Sequence, residues 1–162
     1  YARSADFLRI LHEEAGPEYE QIIHDFFERI VLFDLSVTEA ETRELEDGRF
    51  ETTLQIEARK FAADGEGNET EEPIDYLIDI GLFTRSLDQA LEGNDHILHF
   101  GRERINETQM SFTFITDERP IWVGIDPYSK LIDRDTDDNL ITPDFIPLED
   151  EADPEDTALL ME

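Results

Sequence analysis

The chain contains no cysteine, and this absence excludes disulfide bonds, a thiol nucleophile and a thiolate metal site. No apolar run approaches the roughly 20 residues of a transmembrane helix, so we expect no direct membrane insertion by this segment. An initiator methionine and a signal peptide are missing at Tyr1, and we therefore interpret the chain as a piece of a longer protein. Only two of the 13 basic residues are lysine, Lys60 and Lys130.

Acidic residues dominate the charge of the chain. Asp and Glu number 42 in 162 residues, and the formal net charge is −29. The charge argues against nucleic acid and anionic membrane as partners, because both would be repelled. An acid-rich, lysine-poor surface is typical of a high-salt environment, in which ions screen self-repulsion. An ordinary acidic domain is an equal alternative.

Apolar spacing predicts two short helices in the first 30 residues. Ser4 is a candidate N-cap for the first helix, and Gly16-Pro17 separates it from the second. The apolar stripe of the second helix has the spacing of one helical face. It consists of Tyr19, Ile22, Ile23, Phe26, Phe27 and Ile30.

From Val31 the apolar period changes from 3.6 to 2, which predicts strands. Asp47-Gly48 is typical of a hairpin turn. The segment 64–72 reads as a polar loop, and a short strand is expected around Leu131. The predicted strands are 31–38, 50–59, 74–80, 96–105, 110–114 and 121–125, with the one near Leu131 as a seventh.

Six or seven strands joined by short turns predict a mainly β fold, an antiparallel two-layer β-sandwich of the Ig-like or fibronectin-like kind. A short N-terminal helical hairpin precedes it. We divide the chain into a helical segment at 1–30, which ends an upstream domain or packs on the sandwich. The sandwich domain follows at 31–148, and an acidic flexible tail at 149–162.

An Asp-rich loop at 126–144 is the most distinctive polar segment. Oxygen ligands at alternate positions can wrap Ca²⁺, although Asp138 stands where a helix-flanked calcium loop needs Gly. The alternative is an Asp-rich turn whose carboxylates accept backbone N–H bonds. The candidate ligands are Asp133, Asp135, Asp137, Asn139 and Asp144.

No catalytic constellation is recognisable. His12-Glu13 would need a second histidine at position 16 to begin a helical zinc-protease motif, and that position is Gly16. The other histidines, His24, His96 and His99, share no metal-ligand spacing. A Gly-flanked nucleophile elbow is also missing.

The segment 122–139 contains Gly-Ile-Asp-Pro-Tyr at 124–128, Leu-Ile-Asp-Arg at 131–134 and Asp-Asp-Asn at 137–139. It resembles the C-terminal end of bacterial M1-type (gluzincin) aminopeptidases, especially those associated with or fused to ABC-2-type transporter permeases. The stretches 15–19 and 25–30 are similar to the helices that close such a peptidase region, and 61–72 is similar to its acidic strand and loop. The resemblance covers roughly residues 5–139.

In that family, hydrolysis depends on a zinc site built from a His-Glu-x-x-His motif and a distal Glu, and a Gly-x-Met-Glu-Asn segment binds the substrate N-terminus. None of these motifs occurs in this chain, so no catalytic residue carries over. The resemblance implies a non-catalytic C-terminal domain of a larger membrane-associated metallopeptidase or ABC-transporter-like protein. Zinc would belong only to the missing upstream domain. The location would be periplasmic, on the extracytoplasmic face of the bacterial cytoplasmic membrane.

Two functions follow as expectations. The first is an accessory domain that contacts the upstream domain of the same polypeptide, or a partner subunit, through the junction of helices and sandwich. The second is a stand-alone acidic binding module, in which the loop 126–144 holds calcium or a cationic ligand such as a basic peptide. An autonomous enzyme is the least favoured reading.

Overall fold

The computed structural model describes residues 3–87 and 95–148. It confirms the predicted fold class, because two helices precede a mainly β body in which two sheets form a sandwich-like arrangement. The predicted tail at 149–162 lies outside the described residues.

The helical part consists of α1 (Ser4–Ala15), a 3₁₀ turn (Pro17–Tyr19) and α2 (Glu20–Phe27). Arg3, rather than Ser4, occupies the N-cap position of α1. Its backbone N–H donates to the Asp6 carboxylate at 3.0 Å, which satisfies a donor at the helix start. The second helix ends at Phe27, before the predicted Ile30, because Ile30 already pairs with Ala63 in a sheet.

Sheet A has five strands, namely β1 (Ile30–Glu44), β2 (Phe50–Ala63), β3 (Glu69–Glu72), β6 (Gln109–Thr116) and β9 (Asp144–Ile146). Their order is β3-β2-β1-β9, with β6 also paired to β2. The pairing of β1 with β9 is parallel and the others are antiparallel. The β1–β2 hairpin closes at the predicted Asp47-Gly48 turn, where Gly48 has a φ of 81°.

Sheet B has four strands, namely β4 (Tyr76–Phe83), β5 (Ile97–Ile105), β7 (Trp122–Ile125) and β8 (Leu140–Ile141). They are antiparallel and lie in the order β5-β4-β7-β8. Alternate residues of β1 and β2 meet β4, β5 and β7 in one hydrophobic core. The most deeply buried core residues include Leu35, Leu54, Ile56, Ile80, Ile105, Val123 and Ile125.

Two predictions along the chain are wrong. Within the predicted polar loop 64–72, residues 69–72 form β3 by pairing with the end of β2. The residues around Leu131 form no strand. The chain there follows the edge of β1 and makes one isolated β-bridge, between Phe33 and Asp133. The turn formers and aspartates between 126 and 139 break a regular ladder, and strand structure resumes only at Leu140.

Candidate functional site

The helical pair exposes an unusual amount of apolar surface. None of the residues of α1 is buried, although the helix is amphipathic, and in α2 the buried residues are Ile23 and Asp25. Phe7 and Phe27 join the two helices edge to face, with ring centroids 5.7 Å apart, yet each ring is more than half exposed. We call this set the helical surface. Its members are Phe7, Ile10, Tyr19, Ile22, Phe26, Phe27 and Ile30.

A cleft of about 180 Å³ opens where α2 meets the start of β1. Its walls include Phe26, Ile30, Phe33 and Ile132, and Asp25 and Arg29 supply its polar groups. Ile132 is 61% exposed at the rim. Small-molecule pockets are usually larger, from roughly 300 Å³, so the cleft suits a single inserted apolar side chain.

A second, more open groove of about 330 Å³ runs along the other side of α2. Tyr19, Ile22 and Phe26 form one wall, and the exposed Leu77 of β4 lies beside them. Arg102 and Lys130 also line this groove, together with Asp79. Phe26 borders both spaces, so the groove and the cleft are parts of one surface.

A buried charged network anchors α2 to both sheets. Asp25 accepts hydrogen bonds from the Lys60 ammonium of β2, at 3.2 Å, and from the Tyr76 hydroxyl of β4. Lys60 is 2% exposed and also lies 3.4 Å from a Glu72 carboxylate oxygen. Arg29 donates to Glu72 at 2.6 Å and approaches Asp25 at 3.4 Å. We call these five residues the Asp25 network.

The hydrogen bonds of the network favour the ionised form of the Asp25 carboxylate. Burial raises the pKa of Asp25, but hydrogen bonds from Tyr76 and Lys60 outweigh burial and bring it below its usual value. Burial and the adjacent Asp25 carboxylate raise the pKa of the Tyr76 phenol. Asp25 and Lys60 are each paired with groups of opposite charge and shielded from solvent, so the network acts as a clamp that fixes α2.

The loop after β7 is organised by Asp126, which is buried and has a φ of 41°. Its carboxylate accepts the backbone N–H bonds of Lys130, at 3.0 Å, and Leu131, at 2.8 Å. Burial raises its pKa despite these bonds. The Lys130 ammonium pairs with Asp79 of β4 at 2.5 Å, which places this cation at the groove.

Two of the five candidate calcium ligands, Asp133 and Asp135, accept backbone N–H bonds. Asp133 accepts a hydrogen bond from the Asn139 side-chain amide at 2.8 Å and a longer one from the Leu35 N–H at 3.4 Å. Asp135 accepts the Asp137 N–H at 3.0 Å. These backbone contacts match the alternative interpretation of the loop as an Asp-rich turn whose carboxylates accept N–H bonds.

The structure brings Asp133 and Asn139 together but leaves Asp144 apart. Asp133 bridges to Phe33 on β1, whereas Asp144 pairs with Glu41, eight residues further along the same strand. At 3.3 Å per residue that separation is on the order of 25 Å. Within residues 3–87 and 95–148 no group of three His, Cys, Asp or Glu side chains is placed to hold a metal ion.

Sequence reasoning missed two buried polar groups. Lys60 follows Ile56 and Ala58 in the series of alternate residues of β2 that are buried. A lysine in such a series is a sequence signal, because a buried charge needs a buried partner. His96 is 3% exposed, and neither of its ring nitrogens has a hydrogen-bond partner in the part of the chain that the structure describes. Its ring stacks on Phe83, with centroids 5.9 Å apart.

No family model, curated protein or solved structure matches the chain. The resemblance to M1-type aminopeptidases therefore stays a prediction. Neither of the two described helices has the length and apolar character of a transmembrane span.

Proposed function

We propose that this chain is a non-catalytic accessory domain whose helical surface docks against a neighbouring domain. The observation that carries the proposal is α1, an amphipathic helix of 12 residues without a buried residue. An isolated helix of this length is marginal in water, and helices in proteins gain most of their stability from a covered apolar face. A neighbour that covers the helical surface supplies the apolar contacts that the sandwich does not provide.

The cleft and the groove define the chemistry of that neighbour. One apolar side chain of the neighbour enters the cleft between Phe26 and Ile132, because its walls are apolar and its volume is small. Buried aromatic and aliphatic anchors of this kind carry most of the binding energy in protein interfaces. Basic residues surround these anchors on the neighbour, since the net charge of −29 attracts them.

The neighbour in this proposal is an upstream domain of the same polypeptide. A domain that precedes α1 is held next to the helical surface at high effective concentration, so a modest interface suffices. On the predicted resemblance, that domain is the metallopeptidase-like part that carries the zinc, on the extracytoplasmic face of a bacterial membrane. The present domain then supports it or shapes access to its substrates.

Absence of catalysis by this chain is part of the proposal. The Asp25 network is a buried set of titratable groups, and its Asp25 and Lys60 side chains are shielded from solvent. We expect the isolated chain to leave aminoacyl substrates intact. Cleavage that depends on zinc and stops with a chelator would contradict this.

The test begins with the native polypeptide, detected by an antibody to this chain in fractionated source cells. We expect a band several times 18.8 kDa in the membrane fraction. A soluble band near 18.8 kDa would overturn the proposal and favour the stand-alone binding module.

Photocrosslinking locates the interface in the same native protein. A crosslinking amino acid in place of Phe27, which is 52% exposed, should join this domain to a peptide from the upstream domain. Leu148, exposed to a similar 49%, is the matched control and should give no such product. Equal yields at both positions would remove the helical surface as the docking site.

A further inference from the structure

The free edge of β6 is the least protected strand edge described. Among the described residues, β6 has β2 as its one ladder partner. The carbonyl of Thr108 accepts the Ala58 N–H at 2.8 Å, and antiparallel bonding alternates along a strand. Residues 110, 112, 114 and 116 therefore bond β2. The backbone groups of Gln109, Ser111, Thr113 and Ile115 point to the opposite edge.

This edge is also free of charge. The sequence of β6 is Gln-Met-Ser-Phe-Thr-Phe-Ile-Thr, without one ionisable side chain, in a chain with 34% charged residues. Proteins usually blunt an open edge with charge, proline or a bulge. The edge strand β3 carries three glutamates in four residues, and β5 carries Arg102, Glu103 and Arg104.

We propose that β6 pairs antiparallel with β6 of a second copy of this chain, so that sheet A continues across a two-fold dimer. Two identical strands satisfy the requirement of an isologous interface, in which the same patch faces itself. Each copy offers the same four outward residues, and their N–H and C=O groups complete the hydrogen bonds of the new ladder. The exposed side chains of Ser111, Thr113 and Ile115 then lie across from one another and form cross-strand pairs.

The lack of charge on β6 favours a second copy of this chain over a basic peptide as its partner. A basic strand gains most from an acidic edge, and β3 offers one. Two molecules of net charge −29 repel each other, and a strand without charges lets them meet without like charges directly opposite. Dimerisation should therefore strengthen as salt screens the remaining charge.

The absence of cysteine provides a direct test. Single variants Ser111→Cys and Thr113→Cys and the double variant place thiols near the proposed two-fold axis, in hydrogen-bonded pairs whose Cβ atoms lie about 5.5 Å apart. A short bifunctional thiol crosslinker spans that gap, which is wider than the roughly 3.5–4.5 Å of a disulfide. After crosslinking in molar NaCl, we expect at least one of the variants to run at twice 18.8 kDa. Gln55→Cys is the matched control, because Gln55 is exposed and opposite Ser111, one strand away from the edge. It should stay monomeric.

Light scattering without any crosslink completes the test. The unmodified chain should shift from the monomer mass in dilute buffer to the dimer mass in molar NaCl. Ser111→Pro removes an outward N–H of β6 without removing a bond to β2, and it should keep the monomer mass under both conditions. Ser111→Ala, which retains that N–H, should behave like the unmodified chain. A monomer of the unmodified chain in all conditions, a dimer that Ser111→Pro leaves intact, or equal crosslinking at Gln55→Cys would each overturn the proposal.

Discussion

At the scale of single residues, Asp25 is the acceptor on which the helical part depends. It binds Lys60 of β2 and Tyr76 of β4 from a position in α2. Replacing it by Ala leaves the Lys60 ammonium buried with one remaining carboxylate partner, Glu72, at 3.4 Å. We expect Asp25→Ala to lower the free energy of unfolding by about 3 kcal/mol, the usual cost of breaking a buried ion pair.

Urea unfolding of Asp25→Ala beside Gln21→Ala measures this effect. Gln21 is an exposed residue of the same helix, so its replacement controls for helix propensity. A difference between the two variants below about 0.5 kcal/mol, the scatter of ordinary surface substitutions, would show that the clamp contributes little.

His99 gives the stability of the domain a dependence on pH. Burial lowers the pKa of its imidazole, against a smaller raising effect of Glu103, and its Nε2 has no partner among the described residues. The unfolded chain takes up a proton near the ordinary pKa of about 6.5. Below that value the unfolded state binds more protons than the folded state. The free energy of unfolding therefore decreases as the pH is lowered, until the pH is below the folded-state pKa.

We expect the free energy of unfolding to decrease as the pH is lowered from about 7.5 to about 5.5, which spans the ordinary histidine pKa. His99→Phe should flatten that decrease, because a phenyl ring retains the packing on Phe114 without titrating. Parallel slopes for His99→Phe and the unmodified chain would assign the dependence to other groups.

At the scale of elements, Gly124 sets the spacing between β7 and β8. A Cβ at this position would lie 2.3 Å from the Asn139 carbonyl oxygen and 2.7 Å from a Leu140 methyl group. We expect Gly124→Ala to cost about 1–3 kcal/mol through overpacking. Gly65→Ala is the matched control, since nothing lies within 4 Å of the added methyl group. Equal melting temperatures of the two variants would refute the close approach.

The segment 133–139 should behave as a structural strap along β1. Its backbone bonds β1 at Phe33 and Val37, and Asp133 fixes Asn139. We expect Asp133→Ala to lower the melting temperature, and millimolar Ca²⁺ to leave that of the unmodified chain in place. A rise with Ca²⁺ that Asp133→Ala abolishes would instead support a calcium site.

The strands that sequence reasoning located are those with their own apolar period. In β2, Leu54, Ile56 and Ala58 alternate with exposed or half-buried residues, so the pattern alone predicts the strand. The four residues of β3 have no apolar side chain; pairing with 60–63 of β2 makes them a strand. Such pairing depends on tertiary contacts that no local window contains.

The candidate site was predictable only in part. The stripe from Tyr19 to Phe27 indicates an amphipathic helix, and its outer members are the exposed ones. Asp25 reads as a solvent-facing residue of that helix, and its burial comes from Lys60 and Tyr76, which are 35 and 51 residues away in sequence. The meeting of these two charges and one hydroxyl is a property of the fold.

At the scale of the whole molecule, self-repulsion among the acidic residues should make stability depend on salt. Screening at molar ionic strength shortens the range of charge interactions to roughly 3 Å, which removes most repulsion among exposed carboxylates. We expect the melting temperature to rise between dilute buffer and molar NaCl. Sucrose at matched osmolality is the control for solute exclusion, and no rise beyond that control would contradict a high-salt adaptation.

Because the strap and β9 come late in the sequence, one edge of β1 is paired only near the end of synthesis. The first strand, β1, acquires β2 almost at once as the chain leaves the ribosome, but its other edge is paired by residues 132–138 and by β9. A nascent or prematurely terminated chain therefore carries a long open strand edge, which invites pairing with other chains. Glu39 and Glu41 on that strand repel such partners until the last part of the domain is made.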